Sequence, residues 1–219
     1  MRRIILCCLT CLAAVAASAG SLNWIGDRLW GFSLSYSMKW YTYSSGGSRN
    51  RVNYFGEGGP MQGIRFGVPF EPVFYRGIGL STGIFGEVYS CKNDAETKRI
   101  ELVGLYFPVH AMYRYRLSRS CALSVATGPA LTVGLVQKII DPTNSLIPGY
   151  HVAFDRGTPQ RVNCLWEAAL IANVKIFRFS VVYSVGLTPN RHFLSTDGAG
   201  INYYSTNSQE FSINAGLMF

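Results

Sequence analysis

The sequence has no long hydrophobic run after its first twenty residues, although the chain is apolar overall. Its 219 residues are 48% hydrophobic and only 15% charged, and the mean hydropathy is +0.15. A membrane-spanning helix needs about 20 consecutive apolar residues, so none is predicted in residues 20–219. The low charge and the 14% aromatic content exclude intrinsic disorder and a coiled coil. The apolar residues must therefore follow another pattern.

Residues 1–19 carry the pattern of a secretory signal peptide. Arg2 and Arg3 give a positive start, an apolar stretch runs to Ala16, and the small residues 17–19 follow it. A positive start, a short apolar segment and a small-residue exit are the three parts of such a signal. We therefore expect 1–19 to be removed on export, which leaves 20–219 as a single domain.

Cysteine and histidine are scarce in the exported part. An odd number of cysteines argues against a disulfide framework, and the histidines have no metal-ligand spacing; these residues are Cys91, Cys121, Cys164, His110, His151 and His192. The net charge of +8 includes no run of Lys and Arg interleaved with aromatic residues, and export separates the chain from nucleic acid. We therefore expect no metal, no cofactor and no nucleic-acid partner.

What the sequence does contain is a period-two alternation. Residues 30–40 alternate almost without a break between apolar and polar, which is typical of a strand with two different faces. The pattern predicts eight strands, at 30–43, 61–71, 77–90, 102–117, 121–137, 162–176, 178–189 and 208–219. Helical periodicity is missing beyond the N-terminal segment, so the predicted fold class is all-β.

The links between these strands are alternately short and long. The short links are 72–76, 118–120 and Phe177, and the long links are 44–60, 91–101, 138–161 and 190–207. An up-and-down antiparallel barrel places all its short turns at one end and all its long loops at the other. We predict one such transmembrane barrel of eight strands, or of ten if a long link contains another hairpin at 138–161 or 44–60.

The two faces of the strands differ in charge. The face that includes Trp30, Ile64 and Phe179 has no charged residue, as expected for contact with lipid, where a Lys or Arg costs about 2–4 kcal/mol at mid-bilayer. The other face is rich in Gly, Ser and Ala, which suit the interior of a narrow barrel. Its charged residues are Lys39, Arg65, Glu87, Arg114, Arg116, Glu167, Lys175 and Arg178. A soluble barrel would reverse this arrangement.

Three prolines interrupt the predicted strands. Pro129 falls on the lipid-facing side of the fifth strand, and Pro69 and Pro108 fall on the inner side of the second and fourth. Proline cannot donate to a strand ladder, so we expect a bulge or a local break near Pro129.

The last strand, 211–219, ends in Phe with apolar residues at alternate positions before it. Behind a signal peptide and seven other alternating runs, it resembles the C-terminal insertion signal of bacterial outer-membrane barrels, carried by Phe211, Ile213, Leu217 and Phe219. The whole exported chain resembles the small eight-stranded outer-membrane barrels of the OmpX type. The segments 63–70, 106–109, 113–115 and 127–129 also resemble the PorT-like outer-membrane β-barrel family.

These resemblances imply a Gram-negative outer-membrane location with periplasmic termini and long loops facing outward, and they supply no catalytic residues that can be carried over to this chain. They also imply assembly through the barrel-assembly machinery by way of the C-terminal strand. Outer-membrane lipid surrounds such a barrel, and we expect it to be a monomer.

The inner charges are the candidate site. Buried charges must be paired, because an unpaired one costs several kcal/mol. We expect Arg65 to pair with Glu167 or Glu87, and Glu71 to meet Arg114, Arg116 or Lys175. This lumen charge network would act as a polar plug, or else as the gate of a narrow pore for small solutes.

A lipid-modifying enzyme is the less favoured alternative. His110 lies on the inner face, and the alternation places no serine beside it, while His192 and Ser195 share only a loop. Nucleophilic catalysis needs a nucleophile and a base held in contact, and neither histidine predicts one.

The long loops carry the expected surface role. The 138–161 link is long enough to protrude as a hairpin and to bind a surface protein partner through a strand edge. Basic loop residues are expected to meet lipopolysaccharide; they are Arg49, Arg51, Lys92, Lys98, Arg99, Lys138, Arg156, Arg161 and Arg191.

Overall fold

The computed structural model describes most of the chain from residue 29 onward. The described residues are 29–45, 48–52, 59–92, 95, 99–140, 150–151, 161–188, 190–197 and 200–219. The predicted signal peptide, the loop residues Lys98 and Arg156 and most of the 138–161 link lie outside them. No helix among the described residues has the length and hydrophobicity to cross a membrane.

The described residues form strands only. These are β1 (Gly31–Ser45), β2 (Ser48–Val52), β3 (Met61–Phe70), β4 (Val73–Tyr75), β5 (Ile78–Lys92), β6 (Arg99–Arg116), β7 (Cys121–Ile140), β8 (Tyr150–His151), β9 (Val162–Val174), β10 (Phe177–Gly186), β11 (Asn190–Asp197) and β12 (Gly200–Met218). The eight long strands coincide with the eight predicted runs to within a few residues, apart from the earlier start of β12.

Eight of these strands close into one antiparallel barrel. The order around the barrel is β1, β3, β5, β6, β7, β9, β10 and β12, and β12 pairs back with β1 from Gly31↔Met218 to Thr42↔Asn207. Closure leaves no unpaired edge in the barrel wall. The all-β, eight-stranded fold class is confirmed, and the ten-stranded alternative is wrong because the additional strands do not enter the closed wall.

The additional strands are short and lie at the two ends of the barrel. Two of them extend hairpins at the long-loop end, where β2 pairs with β1 and β11 pairs with β12. At the same end β8 pairs with β7 at residues 138–139. This short pairing is the part of the hairpin predicted in 138–161 that the described residues include. At the opposite end β4 pairs with β5.

The wall is apolar outside and polar inside, as the alternation predicts. On the outer face Leu34 is 59% exposed and Leu170 is 56% exposed, whereas the inward neighbours Ser35 and Ser180 are each 3% exposed. Exposed large apolar side chains continue around all eight strands. This arrangement reverses that of a soluble protein and matches a barrel whose outer surface meets hydrocarbon.

A charge placed on this outer surface should therefore destabilise the barrel according to its depth. Val181 pairs with Leu170 and Ile213 in the middle of the wall, whereas Leu187 follows the last residue of β10. We expect Val181→Lys to lower the free energy of unfolding by about 2–4 kcal/mol and Leu187→Lys by about 0–1 kcal/mol. Urea unfolding of the barrel in lipid vesicles measures both, and equal effects would contradict a lipid-facing belt.

The register of β7 changes once, near its long-loop end. Val103 pairs with Val136 and Gly104 with Gly134, so Leu135 is an extra residue on β7. Leu135 and Val136 both face outward, and the next residue, Gln137, is 1% exposed. Before the bulge the odd-numbered residues of β7 face outward, and beyond Leu135 the even-numbered ones do. The direction reverses because a bulge adds one residue to one strand only.

The expected disturbance at Pro129 is a lapse in pairing. Pro129 pairs with Trp166 on β9, whereas the β6–β7 ladder is interrupted between Pro108↔Ala130 and Ala111↔Thr127 and keeps its register. The β5–β6 ladder lapses in the same way opposite Pro108. Missing proline donors thus interrupt the ladders locally, while the bulge lies elsewhere on β7.

Candidate lumen site

The inward charges gather into two clusters along the barrel axis. The Arg65 cluster crosses the lumen and contains Lys39, Arg65, Glu87, Glu167 and Glu210 together with the side chains that contact them. The Glu71 cluster lies toward the short-turn end and contains Glu71, Arg114 and Arg178 with their hydroxyl partners. Both clusters are buried.

Arg65 joins two carboxylates from opposite sides of the strand that carries it. Its Nε lies 3.1 Å from Oε2 of Glu87, its direct register neighbour on β5. Its Nη2 makes an ion pair with Oε1 of Glu210 on β12. The side chains of all three are at most 7% exposed, so both ion pairs are shielded from water.

Aromatic rings lie against the cationic groups of this cluster. The guanidinium carbon of Arg65 lies 3.9 Å from the ring centroid of Tyr106, and Nζ of Lys39 lies 5.2 Å from that of Tyr89. A cation over an aromatic face is attracted by the ring quadrupole, more strongly where water is excluded. The rings therefore fill the lumen and also stabilise the charges.

Glu167 has a separate set of partners. Tyr106 and Ser184 donate hydrogen bonds to its carboxylate, the latter over 2.6 Å, and Nε2 of His110 lies 2.9 Å from Oε2. Of the two partners expected for Arg65, the structure pairs it with Glu87. Tyr106 contacts both Arg65 and Glu167, so it links the two carboxylate sites.

Glu71 is held by two guanidinium groups. Nη2 of Arg114 lies 2.5 Å from its Oε2, and Nε of Arg178 lies 2.7 Å from its Oε1. Ser81 donates a longer hydrogen bond of 3.4 Å to Oε1. The main chain fixes the position, because the N–H of Glu71 donates to the carbonyl of Leu29 over 2.8 Å.

Two members of the expected network lie outside these clusters. Arg116 is exposed at the end of β6, and Lys175 is exposed in the turn between β9 and β10. Glu71 has a second cation that was not among its three expected partners, Arg178 at the start of β10. Arg114 is the expected partner that the structure does bring to Glu71.

Glu210 is the important residue that the sequence reasoning missed. It lies on β12 at an inward position, directly opposite Lys39 in register, and is 1% exposed. The alternation of the last strand contains the signal, because every even position from 208 to 214 is buried. Carrying the inner face back to residue 210 would have identified it.

The histidine of the lumen has a serine neighbour that the alternation argument overlooked. Ser81 on β5 pairs directly with His110 on β6, and both are buried. The Ser81 hydroxyl donates to Glu71, whereas His110 contacts Glu167. The two side chains therefore do not form the nucleophile and base pair that hydrolysis requires.

The C-terminal residues predicted as an insertion signal form the seam that closes the barrel. Ile213, Leu217 and Phe219 are exposed on the outer face, and Phe211 is half-buried. The ring of Phe219 lies 5.4 Å from that of Trp30, and its N–H donates to the Trp30 carbonyl over 2.7 Å. The strand thus closes the wall through both backbone pairing and side-chain contact.

Two small cavities lie in the described part of the lumen. One of about 40 Å³ borders Lys39, Glu87 and Tyr89, and one of about 30 Å³ lies between the clusters beside Arg65, Ser180 and Arg178. Each has room for a few water molecules. Among the described residues no group of His, Cys, Asp and Glu could hold a metal ion.

Comparisons with known proteins found similarity only among solved structures. No protein-family model matches the chain, so the PorT-like resemblance stays a prediction, and no curated protein matches either. Among solved structures, the attachment invasion locus protein Ail of Yersinia pestis, in complex with the heparin analogue sucrose octasulfate, is 13% identical. The alignment covers 87% of this chain and 97% of Ail, with a TM-score of 0.44.

Two further barrels are similar at a comparable level. Neisserial surface protein A is 8% identical over 86% of this chain and 97% of its own, with a TM-score of 0.42. The outer membrane protease OmpT of Escherichia coli is 10% identical over 92% and 100%, with a TM-score of 0.33. Identities this low transfer no ligand or activity. By its own closure and faces, the chain is an eight-stranded β-barrel of the small outer-membrane type.

Proposed function

We propose that the protein is a non-enzymatic integral outer-membrane barrel with a closed lumen and a structural or cell-surface role. The observation that carries this proposal is the Arg65 cluster, whose side chains come from β1, β3, β5, β9 and β12 and meet across the lumen. Because residues on these strands share buried ion pairs and aromatic contacts, we expect the cluster to block a continuous channel.

The barrel orientation belongs to the same proposal. With both termini in the periplasm, the β1–β2 and β11–β12 hairpins extend from the cell surface and offer the loops to a surface protein partner. Four of the basic residues expected to meet lipopolysaccharide have exposed side chains at this end, namely Arg51, Lys92, Arg99 and Arg161. Assembly as a monomer through the barrel-assembly machinery would use the β12 seam.

The order of the groups around Glu167 supports the non-enzymatic part of the proposal. Its carboxylate lies between His110 and Ser184, contacting both. In a serine hydrolase the imidazole lies between the serine and the acid, so that it can take the hydroxyl proton. The lumen arrangement is that of a buried polar network and supports a structural role.

Planar-bilayer recording separates a closed barrel from a narrow pore. We expect the wild-type protein to give no steady conductance, because the two lumen cavities are separated by the Arg65 cluster. The double variant Arg65→Ser and Tyr106→Ser removes two large side chains of this layer that contact each other and should conduct.

A matched variant keeps this comparison specific. Arg99→Ser with Tyr115→Ser also removes one Arg and one Tyr from β-strands, but both side chains are exposed outside the lumen. This variant should stay silent. Steady wild-type conductance equal to that of the double lumen variant would favour the pore.

A further inference from the structure

Exposed basic side chains collect at the short-turn end of the barrel. Arg76 lies in the turn between β4 and β5, Arg116 ends β6, Arg119 lies in the β6–β7 turn, and Lys175 lies in the β9–β10 turn. We call these four residues the basic rim.

Backbone hydrogen bonds make the basic rim continuous. The N–H of Arg114 donates to the carbonyl of Gly77 over 2.7 Å, which ties the first turn to β6. The N–H of Lys175 donates to the carbonyl of Ser120 over 2.7 Å, which ties the other two turns together. With about 4.8 Å between neighbouring strands, the rim follows an arc of about 15 Å along the barrel mouth.

The charge of the basic rim is of one sign. Residues 72–77, 116–121 and 174–177 contain no Asp or Glu, and the nearby Glu71 is fully buried against Arg114 and Arg178. The opposite side of the same mouth has exposed aromatic residues instead, and segments 29–33, 68–70 and 217–219 contain no Lys or Arg. The positive potential therefore belongs to one half of the mouth.

Aromatic side chains mark the height of the rim relative to the lipid. Tyr75 and Tyr115 are each 60% exposed and precede the rim residues Arg76 and Arg116, and Tyr113, two residues before Tyr115, is 49% exposed. The guanidinium carbon of Arg76 lies 5.0 Å from the Tyr75 ring centroid. Aromatic residues at strand ends form the girdles of membrane barrels at the interface with water. The rim cations beside them are at the level of lipid headgroups.

We propose that the basic rim binds the phosphates of anionic glycerophospholipids in the leaflet at the short-turn end. The inference rests on the proposed membrane insertion and adds a lipid preference to it. Cations just outside the hydrocarbon attract anionic headgroups, each Lys or Arg changing the binding constant about fivefold. Several rim cations on one arc would hold anionic lipid on that side of the barrel.

Lipid retention measures this preference directly. The full chain is inserted into vesicles made of equal amounts of phosphatidylglycerol and phosphatidylcholine, extracted gently in detergent, and the lipids kept by the barrel are quantified by mass spectrometry. We expect the wild type to retain more phosphatidylglycerol than phosphatidylcholine. Replacing all four rim residues with Ser should reduce this enrichment at least about fivefold.

A charge-conserving variant of the same four residues provides the control. Lys in place of Arg76, Arg116 and Arg119 and Arg in place of Lys175 keeps the formal charge of the rim and should leave the enrichment unchanged. Equal losses in the two variants, or no loss in the Ser variant, would overturn the proposal. Full displacement of the lipid by free glycerol phosphate would indicate a soluble phosphate site and would overturn it as well.

Folding and insertion are followed independently of lipid choice. Heat-dependent migration on gels shows whether each variant is a folded barrel, and flotation with phosphatidylcholine vesicles shows whether it inserts. If the Ser variant does not fold, raising the salt concentration from about 0.05 to about 0.5 M with the wild type decides, because exposed charges are screened. Phosphatidylglycerol enrichment that persists at high salt would contradict lipid binding by the basic rim. Failure of the wild type to float with the vesicles would instead contradict the proposed membrane insertion.

Discussion

Replacing Arg65 with Met should lower the free energy of unfolding by about 3–5 kcal/mol. The substitution keeps much of the apolar stem but removes the cation shared by Glu87 and Glu210, whose side chains are 7% and 1% exposed. Two buried carboxylates would then face each other without that partner, and an uncompensated buried charge is strongly destabilising. Urea unfolding in vesicles, followed by tryptophan fluorescence, measures the loss.

Arg99 provides the matched control for Arg65. It also pairs with a glutamate, Glu101, over 3.0 Å, but the two side chains are 47% and 33% exposed. An ion pair open to solvent contributes about 0–1 kcal/mol, so Arg99→Met should change stability by no more than that. Similar losses for the two Met variants would show that the lumen pair is not shielded.

Removing the carboxylate charges as well should recover part of the loss at Arg65. The triple variant Arg65→Met, Glu87→Gln and Glu210→Gln leaves no unpaired carboxylate at these positions. Lys39, which lies opposite Glu210, then lacks its carboxylate, so the recovery is only partial. Breaking one side of a buried pair costs more than replacing both sides. A triple variant as unstable as Arg65→Met would mean that packing, rather than charge, accounts for the effect.

The fold could be predicted from the sequence because lipid and lumen impose opposite compositions. Hydrocarbon excludes charge from every outward position, so the period-two pattern stays visible along each strand. Outward positions such as Leu34, Leu170 and Val181 keep the predicted direction. The alternation of short and long links is then consistent with an up-and-down topology, in which each strand pairs with the next around a closed barrel.

The bulge at Leu135 could not be predicted in this way. Gly134 can mark a bulge, but β7 also contains Gly128, and the apolar pattern at Leu135 and Val136 accepts either direction. The extra residue appears only when β6 and β7 are paired. Its consequence is that Gln137 faces the lumen, opposite to the direction that the upstream alternation implies.

The Arg65–Glu87 ion pair was predictable because the two residues are register neighbours. Arg65 and Glu87 lie directly opposite each other in the β3–β5 pair, which a short turn connects. Glu210 contacts Arg65 from β12, with β1 between the two strands, so the pair depends on the curvature of the closed barrel. Strand alternation shows which face a residue occupies, but it does not show which residues meet across the lumen.

The same geometry makes Glu71 the second sensitive position of the lumen. Glu71→Leu should lower the free energy of unfolding by about 3–5 kcal/mol, because it leaves the buried guanidinium groups of Arg114 and Arg178 without their shared carboxylate. The backbone bond from Glu71 to Leu29 does not involve the side chain and can persist. Urea unfolding in vesicles measures this loss, and Glu101→Leu is the exposed control.

A double-mutant cycle separates the charge of Glu71 from its volume. Arg114 and Arg178 come from β6 and β10, so Glu71 is the group that joins these two walls at the short-turn end. If that role is electrostatic, Arg178→Met should cost much less in the Glu71→Leu background than in the wild type, since one buried cation fewer is left uncompensated. Additive losses would show that the two side chains act independently, and the Glu71 cluster would then be a set of separate packing contacts.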